Sequence, residues 1–218
     1  MTKPAAWFLD FDGVLAQSTA IKDQAFEALY AEHGPDVVAK VLAHHQARGG
    51  ISRVEKIRFC HRTLLGIELD EPDLQGLAQR FGTLVEEAVV ACPDGPGARA
   101  FLARTREPVF VVSGTPEPEL RRIVAARGLS DGFEAVHGSP DEKPEIVERL
   151  LEAYHLDRGR CVFVGDAMTD YNAARACNMA FLGFHGLGGE HPFPPGTRVV
   201  DSFDGIEQQT AAELGERG

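Results

Sequence analysis

Four clusters of polar residues stand where the chain could do chemistry. Asp10 and Asp12 flank Phe11 directly after the apolar run Ala5-Ala6-Trp7-Phe8-Leu9. If that run is a strand, alternation points the two carboxylates the same way, about 7 Å apart along the chain. Like charges so placed repel, which favours either a shared proton or a bound cation. Asp166 and Asp170 lie in Gly-Asp-Ala-Met-Thr-Asp after a second apolar run, 160–165. A third carboxylate at a neighbouring strand end completes a hard oxygen set suited to Mg²⁺. Any one of these aspartates could simply cap a turn or helix; three at strand ends point to a cation. Ser113-Gly114-Thr115-Pro116 runs from a strand into a helix, with Pro116 suited to the first helical position and Thr115 to the cap. Free amides and a hydroxyl at such a start bind anions. Lys143 precedes Pro144 at another helix start, where the dipole disfavours a cation and a nearby anion is called for. The alternative is a surface lysine balanced by Asp141 and Glu142.

The elements that must hold these residues follow from periodicity. Residues 5–9 read as a short buried strand, and 108–112, 134–137, 160–165, 179–184 and 197–201 as further strands. Helical patterns occupy 97–106, 116–128, 144–156 and 168–177 between them, so βαβ crossovers and a mostly parallel sheet are expected. Residues 19–91 are different, for they read only as helices. Phe26, Leu29, Tyr30 and His33 share one face, Val37, Val38, Val41 and Leu42 another, and Leu74, Leu77, Phe81, Leu84, Val85 and Ala88 a third. The expected division is a core of 1–17 and 92–218 with a helical insertion of 18–91. Ligands bind beyond the carboxyl ends of strands in such sheets, which is where all four clusters stand.

Composition narrows the partners. The 218 residues carry 22 Lys and Arg against 33 Asp and Glu, a net charge of −11. So acidic a chain lacks the broad basic footprint that nucleic acid requires. The four cysteines, Cys60, Cys92, Cys161 and Cys177, have no metal spacing and are too few for a disulfide scaffold, so a reducing cytoplasmic setting is expected. Neither a signal peptide nor a membrane span is legible, and no obligate protein partner is evident.

With these residues in place, Asp-Phe-Asp-Gly-Val at 10–14, Ser113 of Val-Val-Ser-Gly-Thr, Lys143 and Gly-Asp-Ala-Met-Thr-Asp at 165–170 resemble the four ordered motifs of the haloacid dehalogenase superfamily. The helical insertion after the first motif resembles the cap of the subgroup containing phosphoglycolate phosphatase and β-phosphoglucomutase. The resemblance implies a Rossmannoid α/β core with a small inserted α-helical cap. It implies Asp10 as nucleophile, Asp12 as general acid and base, and Mg²⁺ held by Asp10, the Asp12 main-chain carbonyl and Asp166, with Asp170 behind them. Ser113, Gly114, Thr115 and Lys143 would hold the transferring phosphoryl group. An acid at position 12 favours phosphate esters over C–Cl or P–C bonds. A phosphatase acting on a small phosphorylated metabolite is therefore expected; the alternatives are a phosphomutase of the β-phosphoglucomutase type and a catalytically silent binding protein on the same fold.

The cap adds a substrate hint. Residues 48–62 hold Arg48, Arg53, Lys56, Arg58 and Arg62 against Glu55, and Ser52 starts a helix in capping-box form. Gly-Gly-Ile-Ser-Arg at 49–53 resembles the substrate loop of β-phosphoglucomutase-like caps, which implies Ser52 and Arg53 at a distal phosphate with Lys56 assisting; a solvated basic helix is the other reading. The mutase-like proteins carry a histidine where this chain has Lys22, which favours hydrolysis; Lys22 would bind substrate or face solvent. His44, His45 and His61 lack zinc spacing and are expected at the surface. The glycine-rich run 183–189 imitates a dinucleotide loop, but no helix follows, so it is expected to be a loop near the rim of the site.

Overall fold

The structure is a computed structural model that describes residues 3–186 and 191–215. Leu187, Gly188 and Gly189 of the glycine-rich run lie outside the described residues, as do the outermost residues of both expected core segments.

The chain begins in a sheet strand, β1 (Ala6–Leu9), and returns to the same sheet with β2 (Val109–Pro116), β3 (Ala135–Ser139), β4 (Cys161–Gly165), β5 (Ala180–Phe184) and β6 (Val199–Val200). The order is β3-β2-β1-β4-β5-β6, with every pairing parallel. Strands covered on both faces read as unbroken apolar runs, as these do. Alternate residues divide between two cores: Trp7, Leu9, Val109, Val111, Val162 and Val164 face one side, while Phe8, Phe110, Val112 and Phe163 face the other. Strand order reverses between β1 and β4, and a crevice opens where neighbouring connections leave in opposite directions.

Helices α1 (Thr19–Tyr30), α2 (Pro35–Ala47), α3 (Arg53–Phe59) and α4 (Glu71–Ala91) fill the segment between β1 and β2, with a π-helical turn at Cys60–Leu65. Proline or a side-chain cap starts several of them: Ser52 Oγ accepts from the Glu55 amide at 3.3 Å, and Asp70 Oδ1 from the Asp73 amide at 2.9 Å. Helices α5 (Ala98–Arg104), α6 (Glu117–Ala126), α7 (Lys143–Ala153), α8 (Met168–Ala176) and α9 (Ile206–Gly215) flank the sheet. Among the described residues no helix is long and apolar enough to cross a membrane.

Three expectations need correction. On α4 the buried line is Leu74, Ala78, Phe81, Val85 and Val89, whereas Leu84 is 45% exposed and Ala88 is also outside, because the helix touches its neighbours along a narrower stripe than the apolar pattern suggests. Thr115 and Pro116 belong to β2 rather than to a cap and first turn; α6 starts at Glu117, and its early proline is Pro118. His45 and His61 are buried: His61 Nδ1 lies 3.0 Å from the Tyr30 hydroxyl, and His44 stacks on Phe59 at 3.8 Å between ring centroids. The last helix, α9, has no counterpart among the expected elements.

Candidate active site

Strand β1 ends one residue before Asp10, whose amide still donates to the Val164 carbonyl of β4 at 3.0 Å. That bond ties the first carboxylate to the strand carrying the Asp166 loop. Asp10 Oδ1 accepts from the Phe11 amide at 2.7 Å, and its Oδ2 faces Lys143 Nζ at 3.1 Å. Lys143 also reaches Asp170 Oδ1 at 2.5 Å, and Asp170 Oδ2 accepts from the Ala167 amide at 3.0 Å. The anions called for by Lys143 are therefore Asp10 and Asp170; Asp141 pairs with Arg149 instead.

The approach is close enough to require glycine at two positions. A Cβ on Gly13, whose φ is +79°, would lie 2.0 Å from Asp166 Oδ2, and one on Gly165 would lie 2.2 Å from Asp170 Cβ. Carboxylate oxygens of Asp10, Asp166 and Asp170 all lie within 4.8 Å of one another. Burial, with Asp170 and Asp12 adding to it, pushes Asp10 up to about 7 against the pull of Lys143. Burial also carries Asp166 well above the usual carboxylate range, reinforced by Asp10 and Asp170. Lys143 loses by burial but gains more from its two acids, so its ammonium is held charged beyond the ordinary lysine range. Two buried carboxylates on one lysine, with half-buried Asp166 beside them, leave an excess of negative charge, and an all-oxygen set of this kind fits a hard divalent cation.

Asp12 is drawn elsewhere. Its carboxylate accepts from Ser18 Oγ at 2.6 Å and Thr115 Oγ1 at 2.8 Å, forms an ion pair with Lys22, and has Ser113 Oγ at 3.5 Å. Lys22 Nζ also donates to Thr115 Oγ1 at 2.9 Å. Burial raises Asp12, but Lys22 and the hydroxyls outweigh it and bring the group down to about 2. Two aspartates in one turn thus differ sharply in proton affinity, with Asp10 the more basic and Asp12 the more acidic of the two before any cation binds. Lys22 stands in the site rather than facing solvent.

Asp10, Asp12, Ser113, Gly114, Thr115, Asp166, Lys22, Arg53 and Lys56 all line one cavity of about 970 Å³ between the sheet end and the inserted helices. The loop before α3 closes over it. Thr169 Oγ1 donates to the Gly49 carbonyl at 3.0 Å, and a Cβ on Gly114 would lie 2.3 Å from the Gly50 carbonyl oxygen. Arg53 crosses to α6, giving Glu119 two bonds of 2.9 and 2.5 Å over the Phe81 ring. Lys56 Nζ lies 2.8 Å from His45 Nδ1, and His45 Nε2 is 3.4 Å from Asp23 Oδ1. Three expected site residues do not line this cavity: Lys143 and Asp170 lie behind Asp10, paired with each other, and the Ser52 hydroxyl is spent capping α3. His185, Gly186 and His191, on either side of residues 187–190, line the rim. Ser18, Asp23, Glu119 and Thr169 escaped the sequence reading, since nothing local distinguishes them from surface or capping residues, and His45, expected at the surface, lines the cavity instead.

Comparison with known proteins agrees with this geometry. The haloacid dehalogenase-like hydrolase family matches residues 5–178. The phosphoglycolate phosphatase of Photorhabdus laumondii is 25% identical over 180 residues, 80% of this chain and 77% of that protein. In fold, a β-phosphoglucomutase from Clostridium difficile superimposes with a TM-score of 0.78 at 18% identity, over 98% of both chains. A magnesium-bound hydrolase of this kind from Bacillus subtilis, YfnB, gives 0.70 at 15% identity, over 96% of this chain and 99% of that one. With a match that spans most of its length, from before Asp10 to beyond Asp170, the chain belongs to the haloacid dehalogenase-like hydrolase family and is a hydrolase.

Proposed function

We propose that the protein is a Mg²⁺-dependent phosphatase that hydrolyses the phosphate monoester of a small metabolite through an aspartyl-phosphate on Asp10. The observation that carries this reading is the cluster of Asp10, Asp166 and Asp170, with Asp10 and Asp166 at the wall of a cavity, Lys143 pairing Asp10 and Asp170 behind it, and a second, differently poised aspartate two residues from Asp10. The phosphatase name of the Photorhabdus relative supports it, as does the magnesium in the Bacillus structure. Mg²⁺ held by Asp10, Asp166 and the main chain of Asp12, with Asp170 behind, would offset the repulsion between two anions.

In the first step Asp10 attacks phosphorus, forming a carboxylate–phosphorus bond while the ester oxygen leaves. Asp12 exchanges the protons: it gives one to the leaving oxygen and later takes one from the attacking water, work worth ~10²–10⁴ in rate. Lys22, Ser18 and Thr115 hold Asp12 as a carboxylate, which is the form the second step needs. Donation in the first step requires that hold to loosen as substrate enters. Ser113, Gly114, Thr115 and Lys143 receive the phosphoryl oxygens, and Lys22, Arg53 and Lys56 face the rest of the substrate from the helices. In this reading residues 18–91 serve as a cap over the core of 1–17 and 92–218 and exclude bulk water when closed.

The test is a phosphate-release assay over a panel of esters with Mg²⁺ and no bisphosphate activator. Wild-type enzyme should release inorganic phosphate, and Asp10→Asn should lower kcat by ~10³ or more and abolish trapping of a phosphorylated aspartate. Conservation of total ester phosphate would instead identify a mutase. Near-normal turnover by Asp10→Asn would remove the mechanism.

A further inference from the structure

We propose that Glu119 is a positioning residue: through Arg53 it holds the inserted helices shut over the cavity, so that the resting protein is closed and substrate enters when this pair parts. The proposal rests on the phosphatase reading above, in which those helices serve as a cap, and adds what keeps that cap closed.

The inserted helices meet α6 of the sheet side along α4, at three levels. At the base, where the chain returns to the sheet, buried Arg127 at the end of α6 donates to the carbonyls of Val89 at 2.5 Å and Cys92 at 3.0 Å and pairs with Asp94. It satisfies carbonyls that a helix end leaves open, and α4 has no basic residue of its own in its last turn. Higher up, Arg122 gives Glu86 two bonds of 2.8 Å at the surface, a pair of the exposed kind that contributes little. Highest of all, beside Gly82, Glu119 accepts both bonds from Arg53. Gly82 precedes Ala91 by nine residues, about 14 Å of helix at 1.5 Å per residue. The Arg53–Glu119 pair therefore acts at the far end of a lever whose base Arg127 fixes.

Burial, geometry and helix position all make this pair the clasp. Both side chains are buried, and the guanidinium is held by two bonds to Glu119, by the Phe81 ring at 4.8 Å and by the Ala78 carbonyl at 3.5 Å. Arg53 is the first residue of α3, where the dipole disfavours a cation, whereas Glu119 stands in the first turn of α6, where an anion is favoured. The chain's own carboxylate thus supplies the anion that Arg53 calls for. Arg53 also follows Ile51 by two residues, and the loop at 49–51 rests on Gly114 and Thr169, so that fixing Arg53 fixes the loop against both. Removing one charge from a buried pair leaves the other uncompensated. Opening the helices would return Arg53 to water, so loss of the Glu119 charge favours the open arrangement.

The experiment is small-angle X-ray scattering on the full-length protein. Free wild type should scatter as the closed structure does, and its radius of gyration should stay unchanged when Mg²⁺ and inorganic phosphate are added. Glu119→Gln, with its fold checked by circular dichroism, should have a larger radius that contracts to the wild-type value with Mg²⁺ and phosphate. In an Arg53→Met background Glu119→Gln should expand the molecule no further, because the two side chains act as one unit. With p-nitrophenyl phosphate, Glu119→Gln should raise KM about fivefold or more and keep kcat within about twofold of wild type, since bound substrate still closes the helices. A free wild type more expanded than the structure would overturn the proposal without any variant. So would an unexpanded Glu119→Gln, a further expansion in the Arg53→Met background, or a loss confined to kcat. Failure of the wild type to hydrolyse p-nitrophenyl phosphate would count against the phosphatase reading alone, because scattering from the free proteins needs no turnover.

Discussion

Asp10 and Asp12 show how two identical side chains in one turn acquire opposite properties. Asp10 rises from an ordinary 3.8 to about 7 through burial and neighbouring acids, whereas Asp12 falls to about 2 because Lys22, Ser18 and Thr115 outweigh its burial. The consequences for stability have opposite signs. Between pH 4 and 7 the metal-free folded state keeps a proton on Asp10 that the unfolded chain has lost, so its contribution declines as pH rises through that window. Asp12 contributes above pH 4 and loses that contribution as pH falls towards 2. A cation bound by Asp10 and Asp166 would displace the protons they hold, and protons compete with it least at high pH. Mg²⁺ should therefore raise the melting temperature more at pH 8 than at pH 5.5 in thermal denaturation followed by circular dichroism. A Mg²⁺ effect that does not change with pH would remove the cluster as the cation site.

At the scale of elements, helix α4 carries a contrast between two glycines. Gly76 is exposed with nothing within 4 Å of a Cβ placed on it. Gly82, on the same helix, faces the Arg53–Glu119 pair: a Cβ there would lie 2.8 Å from Arg53 Nη1 and 2.9 Å from Glu119 Oε2. Alanine in a helix interior is worth about 0.5–1 kcal/mol over glycine. Gly76→Ala should therefore stabilise by roughly that amount in urea denaturation. Gly82→Ala should destabilise in spite of the same helical gain, because a buried bidentate pair must shift. Equal effects at both positions would mean that the ion pair adapts freely and does not constrain α4. The sequence pattern located α4 but not this requirement, since Glu119 stands on α6, 66 residues away from Arg53.

For the whole molecule, the decisive feature is how the inserted helices meet the sheet end. One apolar cluster runs from Leu9 and Val111 of the sheet into Phe26, Val41 and Phe81 of the helices. The loop at 49–51 rests on Gly114 and Thr169. A side chain at position 114 cannot coexist with the Gly50 carbonyl 2.3 Å from its Cβ. Gly114→Ala should shift the molecule towards an open arrangement, read as a larger radius of gyration in small-angle X-ray scattering. An unchanged radius would show that closure does not depend on this contact. The net charge of −11 also proves unevenly used, with Asp10, Asp12 and Asp166 on the sheet side of the pocket, Asp170 buried behind them, and Lys22, Arg53 and Lys56 on its helical side.

Local chemistry was enough to locate the strands, most of the helices and the aspartates, because a buried parallel strand must be apolar throughout and its polar residues collect at its end. The cap of Ser52 follows from the same short-range rules, whereas Thr115, expected as a cap, lies in β2 with its hydroxyl serving Asp12 and Lys22. Tertiary structure alone decided which charges meet. The sequence calls for an anion beside Lys143 without naming it, and Asp10 and Asp170 supply it; Arg53 is matched by Glu119, and Lys56 by no acid among the described residues. Charge pairing depends on distances of a few ångströms between residues far apart along the chain, and hydrophobic periodicity, which sets the elements, carries no information about those distances.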